Sequence, residues 1–177
     1  MRAAADAASH ASVPIAVHLD HAQDEDLICH AADNLPFDSI MVDMSHYEKA
    51  ENLAKTKELV AYCHERGIAT EAEPGRIEGG EDGIADTVDL SGMLTTPEEA
   101  IEFIDTGVDF LAPAFGNVHG EYGTRGPRLD FARYASSTSD DYVVMLCLVC
   151  SDLPQVRVYP GNLGGPRATS SPWHEFL

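Results

Sequence analysis

Residues 18–21 read His-Leu-Asp-His. In an extended strand His18 and Asp20 share one face and Leu19 takes the other, while His21, at the strand exit, is free to turn into a site. Imidazole is the commonest metal ligand, and a carboxylate beside it can orient the ring or move protons next to the metal. Two packed histidines near a helix start are the competing structural reading. A second group is Glu71-Ala72-Glu73. Two acids on one face of a buried strand are costly unless paired or metal-bound, and Glu73 ends its strand, where a carboxylate can reach a polar cluster. Gly75, Gly79, Gly80 and Gly83 follow, a loop pliant enough to act as a lid carrying Glu81 and Asp82, with Asp82 read as simply solvated. A third group is Gly116-Asn117-Val118-His119-Gly120, a histidine between glycines that can ligate a metal while a substrate approaches the backbone, or can be a turn. Asp43 ends an apolar run, and Ser45 after it reads as a helix N-cap. Cys147 and Cys150 have C-x-x-C spacing but sit inside an apolar run, so core packing is the better reading.

The elements that must position these groups alternate short apolar runs with longer helical patterns, the signature of βα units and a parallel sheet. Runs at 13–19, 39–44, 68–73, 109–115 and 142–149 read as strands. Helices are expected over 24–34, with early acids at 24–26, over 47–66, stopped by Gly67, and over 96–106, where Thr96-Pro97 reads as an N-cap with proline at the first turn. The alanine-rich start reads as the end of a helix, and a short helix is expected around 130–134. Asp20, His21, Asp43, Glu73 and His119 then all fall at or just past the C-terminal ends of successive strands, the face where barrel enzymes assemble their sites. A dinucleotide-binding sheet would instead carry Gly-x-Gly-x-x-Gly after its first strand, where this chain has His-Leu-Asp-His. The fold class expected is α/β, a (β/α)8 barrel represented by about five βα units over residues 1–150. Residues 151–177, rich in proline and glycine, read as an irregular tail. A complete barrel takes about 200–250 residues, so the 177 present read as part of one.

The charge excludes some functions. Eleven Lys and Arg against 30 Asp and Glu give a net −19, with three lysines in all, which disfavours nucleic acid and anionic membranes as partners. No apolar run approaches the roughly 18–20 residues that span a bilayer, and residues 1–14 lack a secretory apolar stretch, so a cytoplasmic location is expected. The four cysteines are too scattered for a disulfide framework.

Taken in order, HLDH, the strand-ending Asp43, EAEPGRIEGGEDG and GNVHG resemble the class II, metal-dependent fructose-bisphosphate aldolases, including the tagatose-bisphosphate aldolases, over about residues 13–134. The resemblance implies a (β/α)8 barrel, usually a dimer or tetramer, that cleaves a ketose 1,6-bisphosphate to dihydroxyacetone phosphate and an aldehyde phosphate. It makes His21 and His119 zinc ligands and Asp20 the acid/base group at the hydroxyl of the breaking bond. Asp43 and Glu73 fall at a second or alternate metal position, Gly120 offers its backbone to the dihydroxyacetone phosphate part, and Glu81 matches a mobile-loop acid of proton exchange. It implies Zn2+, with room for a second divalent or monovalent cation. Lys49, Lys55 and Lys57 all fall on one helix, so a Schiff-base route has no candidate. The family's third zinc histidine belongs to a later strand, and here the comparable run VVMLCLVCSD has none. An inactive fragment that associates with full-length subunits is therefore the alternative reading. A metal-dependent hydrolase is a third, disfavoured because such barrels open with His-x-His.

Overall fold

A computed structural model of the chain describes residues 1–77, 79–85, 94–122, 126 and 128–136, with the backbone alone for 79–85, 120–122 and 134–136. In chain order these form α1 (Arg2–Ser9), β1 (His18–Ala22), α2 (Glu25–Asn34), β2 (Ser39–Val42), α3 (Lys49–His64) and β3 (Ala69–Ala72). They continue with β4 (Gly79–Ala85), α4 (Pro97–Ile104), β5 (Phe110–Leu111), β6 (His119–Tyr122) and α5 (Phe131–Ser136). The expected run at 142–149 and the tail at 151–177 lie outside the described residues.

Local chemistry accounts for most helix ends. Asp24 accepts the Leu27 N–H at 2.7 Å, with Glu25 and Asp26 in the first turn, so α2 starts where its acids suit the helix dipole. Thr96 and Glu99 form a reciprocal capping box ahead of Pro97, which starts α4. Gly67, at φ 71°, lets the chain leave α3, with the Ile68 N–H returning to the Cys63 carbonyl at 3.1 Å. Along α3 the buried residues Asn52, Thr56, Leu59, Val60 and Cys63 recur at helical spacing.

β1, β2, β3 and β5 form one parallel sheet in that order. Every residue of β2 and β3 is buried, as strands covered on both faces must be. On one face Ile40 and Val42 pack with Ile28, Ala31, Leu59 and Cys63, and Ala72 and Leu111 pack with Val60, Phe103 and Ile104, so α2, α3 and α4 all lie on that side. Burying a side chain such as Phe103 contributes about 1.5–3 kcal/mol. Met41, Ala112, Ala114 and Ile77 gather on the other side, away from the helices.

Several sequence expectations change, among them the run expected over 109–115, which is strand only at Phe110–Leu111. The first strand begins at His18, not at residue 13, because Pro14 has no N–H for a ladder and the sheet starts where Asp38 accepts the Val17 N–H at 2.6 Å. The glycine-rich segment expected as a free lid is in part strand, since β4 pairs in parallel with β6 as a separate two-stranded ribbon. Ser45 does not cap α3. Glu48 occupies the cap position without a side-chain bond, so Ser45 stands three residues too early to cap the helix, and its hydroxyl donates to the buried Asp43 carboxylate at 2.6 Å.

Candidate metal centre

The pairing of β1 with β2 slips by one residue: Leu19 faces Ile40, but Ala22 faces Val42. The extra residue makes a bulge at Asp20 and His21, and bulges re-aim side chains. His21 absorbs it at φ 46°, the left-handed region that costs a non-glycine residue about 1–3 kcal/mol. That backbone turns both side chains of the Asp-His pair toward the face of the sheet away from the helices.

Asp43 holds His21 from behind. The carboxylate lies 2.8 Å from His21 Nδ1 and also accepts from Gln23 at 2.8 Å, the Ser45 N–H at 3.1 Å and the Ser45 hydroxyl at 2.6 Å. Burial pushes the Asp43 carboxyl up, but the bonds from His21, Ser45 and Gln23 outweigh it and hold it well below the usual carboxylate range. The Asp43 hydrogen bond in turn raises His21 to about 9 against the opposing effect of burial. With Nδ1 engaged, Nε2 of His21 is the nitrogen left for a ligand, the arrangement by which carboxylates orient metal-binding imidazoles.

The loop that leads to His119, the first residue of β6, is separately braced. The Ala114 N–H donates to the Thr95 hydroxyl at 2.9 Å while the Thr95 N–H donates to the Ala114 carbonyl at 2.7 Å, and Asn117 accepts the Phe115 N–H at 2.9 Å. Gly116 sits at φ 104° against the Arg128 carbonyl, where a Cβ would collide with backbone. The rings of His21 and His119 meet edge to face, with centroids 4.6 Å apart.

Glu73, just past β3, completes the group. Buried Asn52 of α3 donates to its carbonyl at 3.1 Å, and the Ile77 N–H donates to its Oε1 at 2.6 Å. Oε2 is buried with no hydrogen-bond partner among the described residues. Burial pushes the Glu73 carboxyl up to about 8, against the Ile77 bond. Ligand atoms of His21, Glu73 and His119 all lie within 4.8 Å of one another. Two imidazoles and a carboxylate are a donor set that suits zinc with a position left for water or substrate, and the unpartnered Glu73 oxygen fits the same role. Asp20, Met41, Glu71, Ile77 and Ala112 complete the lining of a cleft around the cluster.

Of the residues singled out in the sequence, His21, Glu73 and His119 come together, and Asp20 lines the same cleft. Asp43 lies behind His21, its oxygens already engaged by four donors, and outside the ligand cluster. Glu81 falls on β4 and Gly120 on β6, and Gly79 at the head of β4 pairs with His119. The Glu81 side chain is outside the described set. Sequence reasoning missed Gln23 and the true role of Ser45. A short polar residue two positions after a buried acid is the signal that could have found the second. Nothing in the local pattern marks Gln23.

Fold and cluster together define a class, α/β proteins with a candidate cation centre at the C-terminal end of a parallel sheet. The Fructose-bisphosphate aldolase class-II family matches residues 1–150. The chain is 66% identical over 140 residues to a protein of Coccidioides immitis (strain RS) named as a fructose-bisphosphate aldolase, covering 75% of this chain and 46% of that one. The fructose-bisphosphate aldolase of Giardia intestinalis is 45% identical over 114 residues, 64% of this chain and 34% of its own length. A crystal structure of a fructose-1,6-biphosphate aldolase from Coccidioides immitis superposes with TM-score 0.69 at 67% identity, covering 77% of this chain and 48% of that one. The YdjI aldolase of Escherichia coli K12 superposes with TM-score 0.63 at 34% identity, over 80% of this chain and 47% of that one. The chain belongs to the class II fructose-bisphosphate aldolase family, and it spans about half the length of the Coccidioides relative.

Proposed function

We propose that this chain carries the metal-holding and proton-transferring part of a class II aldolase site, acting in the reversible, zinc-dependent cleavage of a ketose 1,6-bisphosphate to dihydroxyacetone phosphate and an aldehyde phosphate. The observation that carries this reading is the convergence of His21, Glu73 and His119. In it these three residues would hold Zn2+, with Glu73 as the carboxylate ligand beside the two imidazoles. Zinc held by these residues would supply Lewis-acid charge for the negative charge that develops when the carbon–carbon bond breaks. Asp20, beside the cluster in the same cleft, takes the proton of the hydroxyl at that bond and returns it in the condensation direction. Asp43 keeps the His21 ring oriented and offers the alternate metal position if its donors rearrange. Gly120 presents backbone to the phosphate-bearing product, and Glu81 serves the second proton exchange.

Family membership also supports reading the four-stranded sheet as an arc of a (β/α)8 barrel: its helices lie on one face and its acids face the other, as in a barrel wall. A homodimer, a sugar bisphosphate as substrate, and a cytoplasmic location complete the proposal. No helix among the described residues is long and apolar enough to cross a membrane. The test is a calorimetric Zn2+ titration of the full chain and of His21→Ala, alongside cleavage of fructose and tagatose 1,6-bisphosphates by the zinc-loaded chain. Zinc binding lost in His21→Ala and cleavage lost in Asp20→Asn are expected. Binding that survives His21→Ala, or cleavage that survives Asp20→Asn, overturns the assignment.

A further inference from the structure

His18 and Glu71 stand beside the proposed site without a part in it. His18 is locked in β1 opposite Ser39, whose hydroxyl lies 2.7 Å from its Nδ1. Its Nε2 points to the face shared with Asp20 and lies 3.8 Å from Asp20 Oδ1 and 3.5 Å from Glu71 Oε2. This nitrogen is buried and has no hydrogen-bond partner among the described residues, and neither has Glu71 Oε1, although Glu71 is only 2% exposed and lines the cleft. Groups buried at that cost in a native protein call for an explanation. The metal cluster does not supply one, since it consists of His21, Glu73 and His119.

Asp20 has the complementary need. Its side chain is 46% exposed on a bulged strand, and no hydrogen bond from a described residue restrains it. A general base must be held within hydrogen-bond reach of the proton it takes, and catalytic contacts that are long in the free protein often shorten when ligand binds.

We propose that His18, clamped at Nδ1 by Ser39 and backed by Glu71, is a positioning residue that fixes the Asp20 carboxylate for proton transfer. This rests on the aldolase reading above. The Ser39 hydroxyl donates to Nδ1, which leaves the proton on Nε2. That N–H sits between two carboxylate oxygens and closes on Asp20 when substrate enters, while Glu71 keeps the ring from swinging away. His18 contributes no atom to the metal and none to the substrate.

The test uses the full zinc-loaded chain with His18→Ala, His18→Gln and Ser39→Ala, each checked for an unchanged thermal melt. Zinc affinity is expected to be the same in all of them. In fructose 1,6-bisphosphate cleavage, kcat should fall about 10–100-fold in His18→Ala, the size typical of losing a group that orients a reactive one, with KM unchanged. His18→Gln should recover most of it, because an amide N–H can occupy the Nε2 position. Independently of turnover, long-range 1H–15N spectra should show His18 as the Nε2–H tautomer, and the 13Cγ resonance of Asp20 should move in His18→Ala. An Nδ1–H tautomer, or an Asp20 resonance indifferent to His18, overturns the proposal, as does a fall in zinc affinity. If the unsubstituted chain binds zinc but cleaves neither bisphosphate, the aldolase reading fails and the spectra alone decide whether His18 positions Asp20.

Discussion

The two ends of the parallel sheet are built from the same kinds of residue and treat them in opposite ways. At the end where the strands begin, Asp109 accepts from His64 Nε2 at 2.8 Å, from the Thr70 N–H at 2.7 Å and from the Thr70 hydroxyl at 3.1 Å, and Asp38 accepts the Val17 N–H. Acids and histidine there tie one element to the next and leave little to react. At the end where the strands finish, Glu73 Oε2 is buried without a hydrogen-bond partner among the described residues, beside a strained His21, and on the face that leads to it His18 Nε2, at the head of β1, and Glu71 Oε1, within β3, are equally unpartnered. Buried polar atoms kept unsatisfied cost stability, and proteins accept that cost where a site must be ready for something else. Substitutions at the strand-ending side should therefore cost function, and those at the strand-starting side should cost stability alone.

The largest effect expected is on turnover. Asp20→Asn should lower bisphosphate cleavage about 10²–10⁴-fold, the usual worth of a positioned proton-transfer group, while zinc stoichiometry and melting temperature stay unchanged. A variant that melts much earlier would erase the contrast between the two ends. Asp43→Ala comes next. Freed of its partner, His21 should bind zinc about 10–100-fold more weakly, measured by competition with a chelating dye. This change also strands the donors of Ser45 and Gln23, so some loss of stability accompanies it, and Asp43→Asn separates the two effects by keeping an acceptor in place.

Glu71→Gln should act in the opposite direction on stability. Burial, with a further push from Asp20, raises the Glu71 carboxyl to about 7, above its ordinary value of 4.5. A carboxyl whose folded value is raised destabilises the fold as pH climbs from the unfolded value toward the folded one. The amide avoids that ionisation, so the metal-free variant should gain about 0.5–2 kcal/mol by denaturant melts near pH 8 and progressively less toward pH 5. A loss at every pH would mean that Glu71 is a structural anchor.

The smallest effect belongs to the latch at the strand starts. The Asp109 hydrogen bond raises His64, whose contribution is fully present below its ordinary 6.5 and fades as pH rises through the raised value. Burial pushes Asp109 up, but the His64 and Thr70 bonds outweigh it and hold it below its ordinary 3.8, so its contribution is lost only as pH falls through that lowered value. Asp109→Asn should thus cost most between about pH 4 and 6.5 and less above. His64 is 37% exposed, so screening keeps the loss to about 0.2–1 kcal/mol, with cleavage untouched.

Much of this was legible in the order of residues because it is local. The Asp24 cap, the Thr96-Pro97 start with its Glu99 partner and the Gly67 stop act within a turn of where they stand, and the all-apolar 40–42 run announces a covered strand. The candidate ligands His21, Glu73 and His119 were also legible by residue type and order, although His119, expected just past a strand, instead heads β6. What could not be read depends on partners far along the chain. The glycines from 79 looked like a free loop because the strand that orders them lies around residue 119. Ser45 looked like a cap, but packing starts the helix at Lys49 and leaves the Ser45 hydroxyl to donate to the buried Asp43.

The sequence by itself determined the residue types, the βα rhythm and the side of the sheet on which the acids and histidines would gather, since spacing and periodicity set those within a few turns of chain. Only the tertiary structure decided that one extra residue in β1 would turn Asp20 and His21 inward and that Asp43 would stand behind the cluster. It also decided that Asn52 of α3 would hold the Glu73 backbone. Register, bulges and buried hydrogen bonds are settled by competition among distant groups for the same few donors and acceptors, and no local pattern records which of them wins.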